Sequence, residues 1–407
     1  MKKYFTIITS IFLISIWACP VTAYEVEGID IHGFISQGFI KSSEYNYLTN
    51  DSKDGSFAYN EMGINFSKEL TEKLRLGLQL FSRDLGDVAN NKIAVDWGYA
   101  DYRYKDWLGI RAGKIKLSMG LYNETRDLDM LRTPIVLPQG IYNDFLRDNL
   151  IATSGVGIYG NFDLNAFGGI SYQLSAGVPP SSKDDGAGKY LENLMAGSGV
   201  TLLEDFDPGT SYAGSLWWET PLEGLRIGYS YLHSDKTAPL ELPAIPGVQP
   251  AMSAMFEYTE VNHIVSAEYT YDALTVAVEY MERNMKNRLP PFYEDSPTLQ
   301  SYYILVSYAF NDWFTLGCYY SESYPDKDDK DGATTRLSYM SVDTVDHLAW
   351  EKDIALTFRF DLNEYWVLKI EGHRVNGTAN TFVVDNRDNS YSDSDNWYGA
   401  AKVTFSF

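Results

Sequence analysis

The chain has 407 residues, carries a formal net charge of −22, and contains two cysteines, which rules out a disulfide scaffold. So acidic a balance argues against a nucleic-acid partner. Aromatic residues make up 15% of the chain, 31 of them Tyr, and past the first residues there is no apolar run long enough for a transmembrane helix.

At the start, Lys2 and Lys3 precede an apolar run from Ile7 to Ala18, and Val21, Thr22 and Ala23 place small residues at cleavage-type positions. That pattern reads as a secretory signal peptide over 1–23, with a mature chain from Tyr24. The run is too short to span a bilayer. Losing Lys2 and Lys3 takes the charge from −22 to −24 and leaves Cys318 as the single cysteine of an exported protein.

From there the chain alternates with period two. Leu74, Leu76, Leu78 and Leu80 alternate with Arg75, Gly77, Gln79 and Phe81. The same face recurs in Leu274, Val276, Val278 and Tyr280, in Tyr302, Ile304, Val306, Tyr308 and Phe310, and in Ile354, Leu356, Phe358 and Phe360. At the end, Trp397, Gly399, Ala401, Val403, Phe405 and Phe407 share one face, opposite Tyr398, Lys402, Thr404 and Ser406. Period two predicts strands with one apolar and one polar side. Their spans are 30–41, 57–67, 73–83, 92–104, 107–115, 154–162, 165–174, 211–219, 224–233, 257–270, 274–284, 299–310, 313–322, 347–360, 364–375 and 396–407.

The links between them alternate in length. Short ones, such as 68–72, Lys105-Asp106, Asp163-Leu164 and Asn311-Asp312, carry turn residues. Every other link is longer, up to 116–153 and 175–210. Short turns at one end and long loops at the other describe an all-β transmembrane antiparallel barrel of about 16 strands. Trp107, Phe310, Trp313, Phe314, Phe360 and Trp366 flank the short turns, where an interfacial girdle belongs. Residues 24–407 read as a single barrel domain, without a plug ahead of the first strand and facing outer-membrane lipid.

Alternation points Arg75, Arg83, Arg111, Arg226, Arg283, Arg359, Lys369 and Lys402 inward, together with Glu61, Glu268, Glu279, Asp353 and Glu371. The acidic excess falls in outer loops such as 181–207, 324–346 and 381–395. Loop 116–153 is long for a structureless link. Apolar residues (Leu121, Met130, Ile135, Val136, Leu137, Ile141) interleave there with Glu124, Arg126, Asp127, Asp129, Arg132, Asp144, Arg147 and Asp148. A loop exposed only to water does not need that many anchors; a loop folded into the barrel does.

The stretch Leu108-Gly109-Ile110-Arg111-Ala112-Gly113-Lys114-Ile115-Lys116, continuing through Gly120 to Asp127, resembles the porin family that includes the phosphate-selective and dicarboxylate-type porins. His32-Gly33-Phe34-Ile35-Ser36 and the terminal Phe407 fit it too. In layout the resemblance covers the whole mature chain; in residues it is strongest over 92–150. It implies a homotrimer in the outer membrane of a Gram-negative cell. It also implies a water-filled channel for small hydrophilic solutes, leaning to anionic ones, with no cofactor. The constriction it implies joins Arg126, Arg132 and Arg147, with Glu124, Asp127 and Asp129, to wall residues such as Arg75 and Arg111. The loop departs from that pattern in matching its basic residues with more acidic ones, which counts against strong phosphate selectivity. The bland alternative is that these charges pair and merely keep the lumen wet.

Other readings stay open. A saturable site for phosphate, a dicarboxylate or a sugar would make the channel selective. A barrel enzyme needs a Ser/His pair, and no such motif stands out; an adhesin would use the outer loops alone. The run from Asp326 to Gly332 resembles a Ca²⁺ loop, but Lys330 interrupts the ligand spacing and a solvated charge run explains it. His32, His233, His263, His347 and His373 are scattered, with none at metal-ligand spacing. Tyr122 and Tyr142 could stack on a sugar or anchor the loop.

Overall fold

In the computed structural model the described residues are 24–26, 28–244, 246, 247, 250–334, 345–386 and 393–407. Segment 1–23, where a signal peptide was expected, lies outside them, as do parts of outer loops 324–346 and 381–395. Sixteen long strands follow in chain order. The first eight are β1 (Ile29–Ser42), β2 (Tyr59–Thr71), β3 (Leu74–Leu85), β4 (Ala94–Lys105), β5 (Leu108–Lys116), β6 (Ala152–Asp163), β7 (Gly169–Val178) and β8 (Asp207–Glu219). The second eight are β9 (Leu225–Leu242), β10 (Met252–Tyr271), β11 (Leu274–Leu289), β12 (Thr298–Asn311), β13 (Phe314–Tyr324), β14 (Glu351–Asp361), β15 (Trp366–Gly377) and β16 (Asp395–Ser406). Each pairs antiparallel with its chain neighbours. β16 closes on β1 in register Tyr398↔Ser42 through Ser406↔Phe34. The amides of Gly33 and Phe407 then exchange hydrogen bonds at 3.0 Å with each other's carbonyls. Closure leaves no unpaired edge, the condition for a sheet in lipid.

Local chemistry makes the tight turns. Asn311 accepts the amides of Trp313 and Phe314 through its side chain at 3.1 and 2.9 Å, and Asn363 does the same for Tyr365 and Trp366 at 2.9 and 3.1 Å. Such side-chain-closed turns reverse the chain in few residues. The aromatics beside them form a belt on the outer face. Trp313 stacks on Phe360, Phe310 on Phe314, and Trp107, Phe162 and Trp366 stay exposed. Above this belt runs an exposed apolar band that includes Ile110, Val156, Leu174, Val265, Ile304, Leu356 and Ile370. On a barrel whose inward residues are polar, that band is the lipid-facing surface.

Several sequence boundaries move. The strand expected from residue 165 begins at Gly169, because Asn165–Phe167 form a 3-10 turn in which Asn165 takes φ 56°. The strand expected from 347 begins at Glu351, after a 3-10 turn over Asp346–Ala349. Much of the links expected at 234–256 and 285–298 is strand: β9 runs to Leu242, β10 starts at Met252 and β11 runs to Leu289. These extensions keep the alternation of the strands and are held by packing. Ala238, Leu240, Leu242, Phe256 and Leu289 pack under a helix, Gly186–Leu194, through Ala187 and Leu191.

Candidate functional site

β5 ends at Lys116 and β6 begins at Ala152; between them the chain turns into the barrel. The Leu117 amide donates to the Ile151 carbonyl at 2.9 Å and closes the neck of the loop. Leu117, Met119, Leu137, Ile141, Tyr142 and Leu150 pack against Leu232, Ile264, Met281, Leu305 and Tyr319, on the inner faces of β9 to β13. Ile135, Val136 and Phe145 pack against Tyr59, Val375 and Tyr398. The loop therefore folds inward, and the apolar anchors are what hold it there.

Two wall carboxylates hold its backbone. Glu371 accepts the Ile135 and Val136 amides at 2.8 and 2.9 Å. Glu279 accepts the Leu121 amide at 2.8 Å, the Tyr303 hydroxyl at 2.8 Å, and the hydroxyls of Tyr142 and Ser266. A buried carboxylate is tolerated when its lone pairs are filled in this way. Gly120 takes φ +57°, and a Cβ there would meet Glu279 Oε1 at 2.7 Å. Only glycine brings the backbone so close to the wall in that conformation.

The loop's charges are all accounted for by partners. Arg147 grips Asp96 of β4 with both terminal nitrogens, at 2.8 and 2.9 Å, and lies over the Phe81 ring at 3.9 Å. Arg83 donates to Asp148 at 2.9 Å and to the Asp144 carbonyl at 2.7 Å. Arg126 pairs with Asp144 at 2.9 Å. Arg132 lies 3.6 Å from Asp129 and donates to the Arg126 carbonyl, while Arg359 of β14 donates to the Arg132 carbonyl at 2.9 Å. Asp127 accepts from Lys116 at 2.9 Å and Gln79 at 2.6 Å. Asp129 meets Lys369 at 3.0 Å, Lys402 at 3.6 Å and the Thr404 hydroxyl at 2.8 Å.

These surroundings set the ionisation of the loop acids. Burial raises each pKa, and in Asp129 the Lys369, Lys402 and Arg132 charges outweigh it and hold the group well below the ordinary carboxylate range. Lys116 and Arg147 do the same for Asp127. Asp148, buried between Arg83 and Arg147, is held at about 2 by the two guanidiniums. Burial and the Glu279 carboxylate push the Tyr142 phenol well above its ordinary value. Tyr142 meets Tyr122 edge to face at 5.6 Å and acts as an anchor of the loop.

The expected site residues divide into two groups. Arg126, Asp127, Asp129, Arg132 and Arg147 come together, buried, at the loop. Arg75 and Arg111 lie toward the short-turn end and do not face the loop arginines. Arg111 bonds Asp101 at 3.1 Å and lies 4.2 Å over the Tyr159 ring, and Arg75 is exposed, in register with Glu69 and Asp101. Glu124 stands between the groups, accepting from Gln173 at 3.2 Å. The reason for the division is charge: each loop arginine meets a nearby aspartate before it can reach the wall arginines.

The bore that the resemblance implies is narrowed by the loop. Wall residues of β1, β3, β9, β11, β15 and β16 are buried beside it, among them Ser36, Arg83, Ser230, Glu279, Lys369 and Thr404, while β7 stays partly exposed. A small cleft borders Arg111, Lys116, Tyr159 and Gln173. Asp96 and Gln79 were not singled out by the sequence reading. A register shift between Gln79 and Leu80, where β4 pairs, turns Asp96 inward, whereas strict alternation with Tyr99 and Asp101 would have put it on the outer face.

With the barrel and its inward loop in view, similar folds can be compared. The outer-membrane channel DcaP of Acinetobacter baumannii superposes with a TM-score of 0.58 at 10% identity, covering 95% of this chain and 100% of that one. OmpT of Vibrio cholerae gives 0.57 at 11% identity, covering 95% and 100%. The chain has the porin fold. The anion-selective porin from Comamonas acidovorans shares it, with a TM-score of 0.55 at 12% identity over 93% of this chain and 99% of that one. In sequence, an uncharacterized protein of Aquifex aeolicus (strain VF5) is 24% identical over 219 residues, 51% of this chain. The match spans 44% of that relative's length. No protein-family model matches the chain. Among the described residues, no group of three His, Cys, Asp or Glu side chains is placed to hold a metal ion, the Asp326 region included.

Proposed function

We propose that this porin-fold chain is an outer-membrane channel for passive diffusion of small hydrophilic solutes, a single barrel domain that assembles as a homotrimer. The observation that carries the reading is the charged loop held inside a closed barrel by polar wall residues. The fold also favours a channel over a barrel enzyme. Glu124, Arg126, Asp127, Asp129, Arg132 and Arg147 line or brace the constriction in this reading, and Arg75 and Arg111 line the lumen on its short-turn side.

The lean is toward anions. Arg75, Arg111, Arg226 and Arg359 reach the lumen on the short-turn side of the loop, and charge and width at a constriction set selectivity. Single-channel recording from the refolded protein in a planar bilayer, with a KCl gradient, tests this. Stepwise openings, grouped in threes, with a reversal potential on the chloride side are expected. Silence at every voltage would overturn the channel reading; reversal on the potassium side would overturn the anionic lean.

A further inference from the structure

Lys369 and Lys402 lie directly opposite each other on β15 and β16 and both point into the lumen. Like charges directly across a strand pair are unfavourable. The wall supplies one carboxylate nearby, Glu61, which is 2.7 Å from Lys402. The acid paired with Lys369 comes from the loop: the Asp129 carboxylate at 3.0 Å, with the Asp129 carbonyl accepting from Lys369 at 2.6 Å. Thr404 donates to the other Asp129 oxygen at 2.8 Å, and Lys402 is 3.6 Å away. Lys369 and Thr404 are fully buried, at 0% exposure each. The pair and the hydroxyl thus form a socket on the wall that is filled by a carboxylate from the loop.

We propose that this Lys369–Lys402–Thr404 socket is a site for small carboxylate monoanions, with Asp129 as its built-in occupant. A free carboxylate entering the lumen then competes with the loop for the socket. Without the Asp129 carboxylate, Lys369 loses its counter-ion while Lys402 keeps Glu61, and a small carboxylate can take the vacated place. Anion binding and loop displacement are therefore coupled, and each favours the other by the same factor. The channel reading supplies the physiological role, a solute in transit; the binding chemistry stands apart from it.

The test is chemical rescue in the full-length protein refolded in detergent. Asp129→Ala empties the socket, and its thermal unfolding midpoint is expected to fall. Sodium formate is expected to raise that midpoint by about 3 °C or more relative to sodium chloride at equal ionic strength. Wild type, whose socket is filled, shows a smaller formate effect, and Asp129→Ala/Lys369→Met shows none. Equal effects of formate and chloride on Asp129→Ala, or rescue that survives Lys369→Met, would overturn the proposal. Should Asp129→Ala refold only with formate present, that supports the site. Should it refold in neither salt, Asp129→Asn takes its place, with the same readout deciding. Inorganic phosphate in place of formate distinguishes a carboxylate site from a general oxyanion site: matching rescue by phosphate overturns the carboxylate assignment. The readout does not need conduction. Rescue in a protein that never conducts would sink the channel reading and keep the socket; conduction without rescue would do the reverse.

Discussion

Arg147 shows how much one side chain can hold. Its guanidinium is 2% exposed and reaches across from the loop to Asp96 on the wall, with a bidentate grip. Truncating one partner of a buried pair strands the other charge and costs about 3–5 kcal/mol. Arg147→Ala is therefore expected to lower the thermal midpoint sharply, and Arg147→Lys to recover only part, because an ammonium lacks the planar fork. Adding Asp96→Ala to Arg147→Ala should restore stability relative to the single variant; a further additive loss would mean that the pair does not hold the loop. A second prediction concerns pH. Asp148 is held at about 2, below the ordinary carboxylate value, so its charge stabilises the folded state above the unfolded pKa. That contribution is lost as pH falls through the folded value. The midpoint difference between wild type and Asp148→Asn is expected to be constant above about pH 5 and to close toward about pH 2. A difference that changes between pH 8 and pH 5 would contradict the assignment.

At the scale of the element, the inward loop is a segment with little regular structure, built of short helical turns at Asn123–Thr125, Asp129–Leu131 and Arg147–Leu150. It stays in place because the wall satisfies its backbone where no neighbouring strand can. Glu279 is the main anchor, accepting four donors, three of them side-chain hydroxyls. Glu279→Leu leaves those buried donors unmet at roughly 1–3 kcal/mol each. Limited proteolysis at the loop is expected to speed up in that variant while far-UV circular dichroism keeps its β signature. Unchanged proteolysis would show that the apolar anchors alone suffice. Gly120→Val should loosen the loop the same way, by forcing a β-branched residue to φ +57° against Glu279. The interleaving of apolar and charged residues in the sequence pointed to an inward loop. Which charge meets which could not be read there, because ion pairs such as Arg147 with Asp96 join residues that chain spacing does not relate.

For the whole molecule, the two faces of the wall obey different solvents. Leu356 is exposed on the outer face of β14, while its neighbour Thr357 is buried in the lumen and donates to Glu371. An arginine near the middle of the lipid band costs about 2–4 kcal/mol. Leu356→Arg is expected to lower stability by that amount in denaturant titrations from lipid vesicles. An effect near zero would place Leu356 outside the hydrocarbon region.

Period-two alternation and the alternation of short and long links were enough, without tertiary information, to specify a closed antiparallel barrel of sixteen strands, with most strand edges close to where they lie. Both signals are local: a strand facing lipid on one side and water on the other must alternate, and a two-residue turn must carry Asn, Asp or Gly. The sequence also marked loop 116–153 as inward, from its excess of anchors. The tertiary structure alone decided that β9, β10 and β11 run on under a helix, since packing at Leu240 and Phe256 holds them there. It alone decided that the loop narrows the lumen, that Arg75 and Arg111 stand apart from it, and that Asp129 lies between two wall lysines. Those outcomes depend on distances between residues far apart in the chain, which closure of the barrel sets and no local pattern encodes.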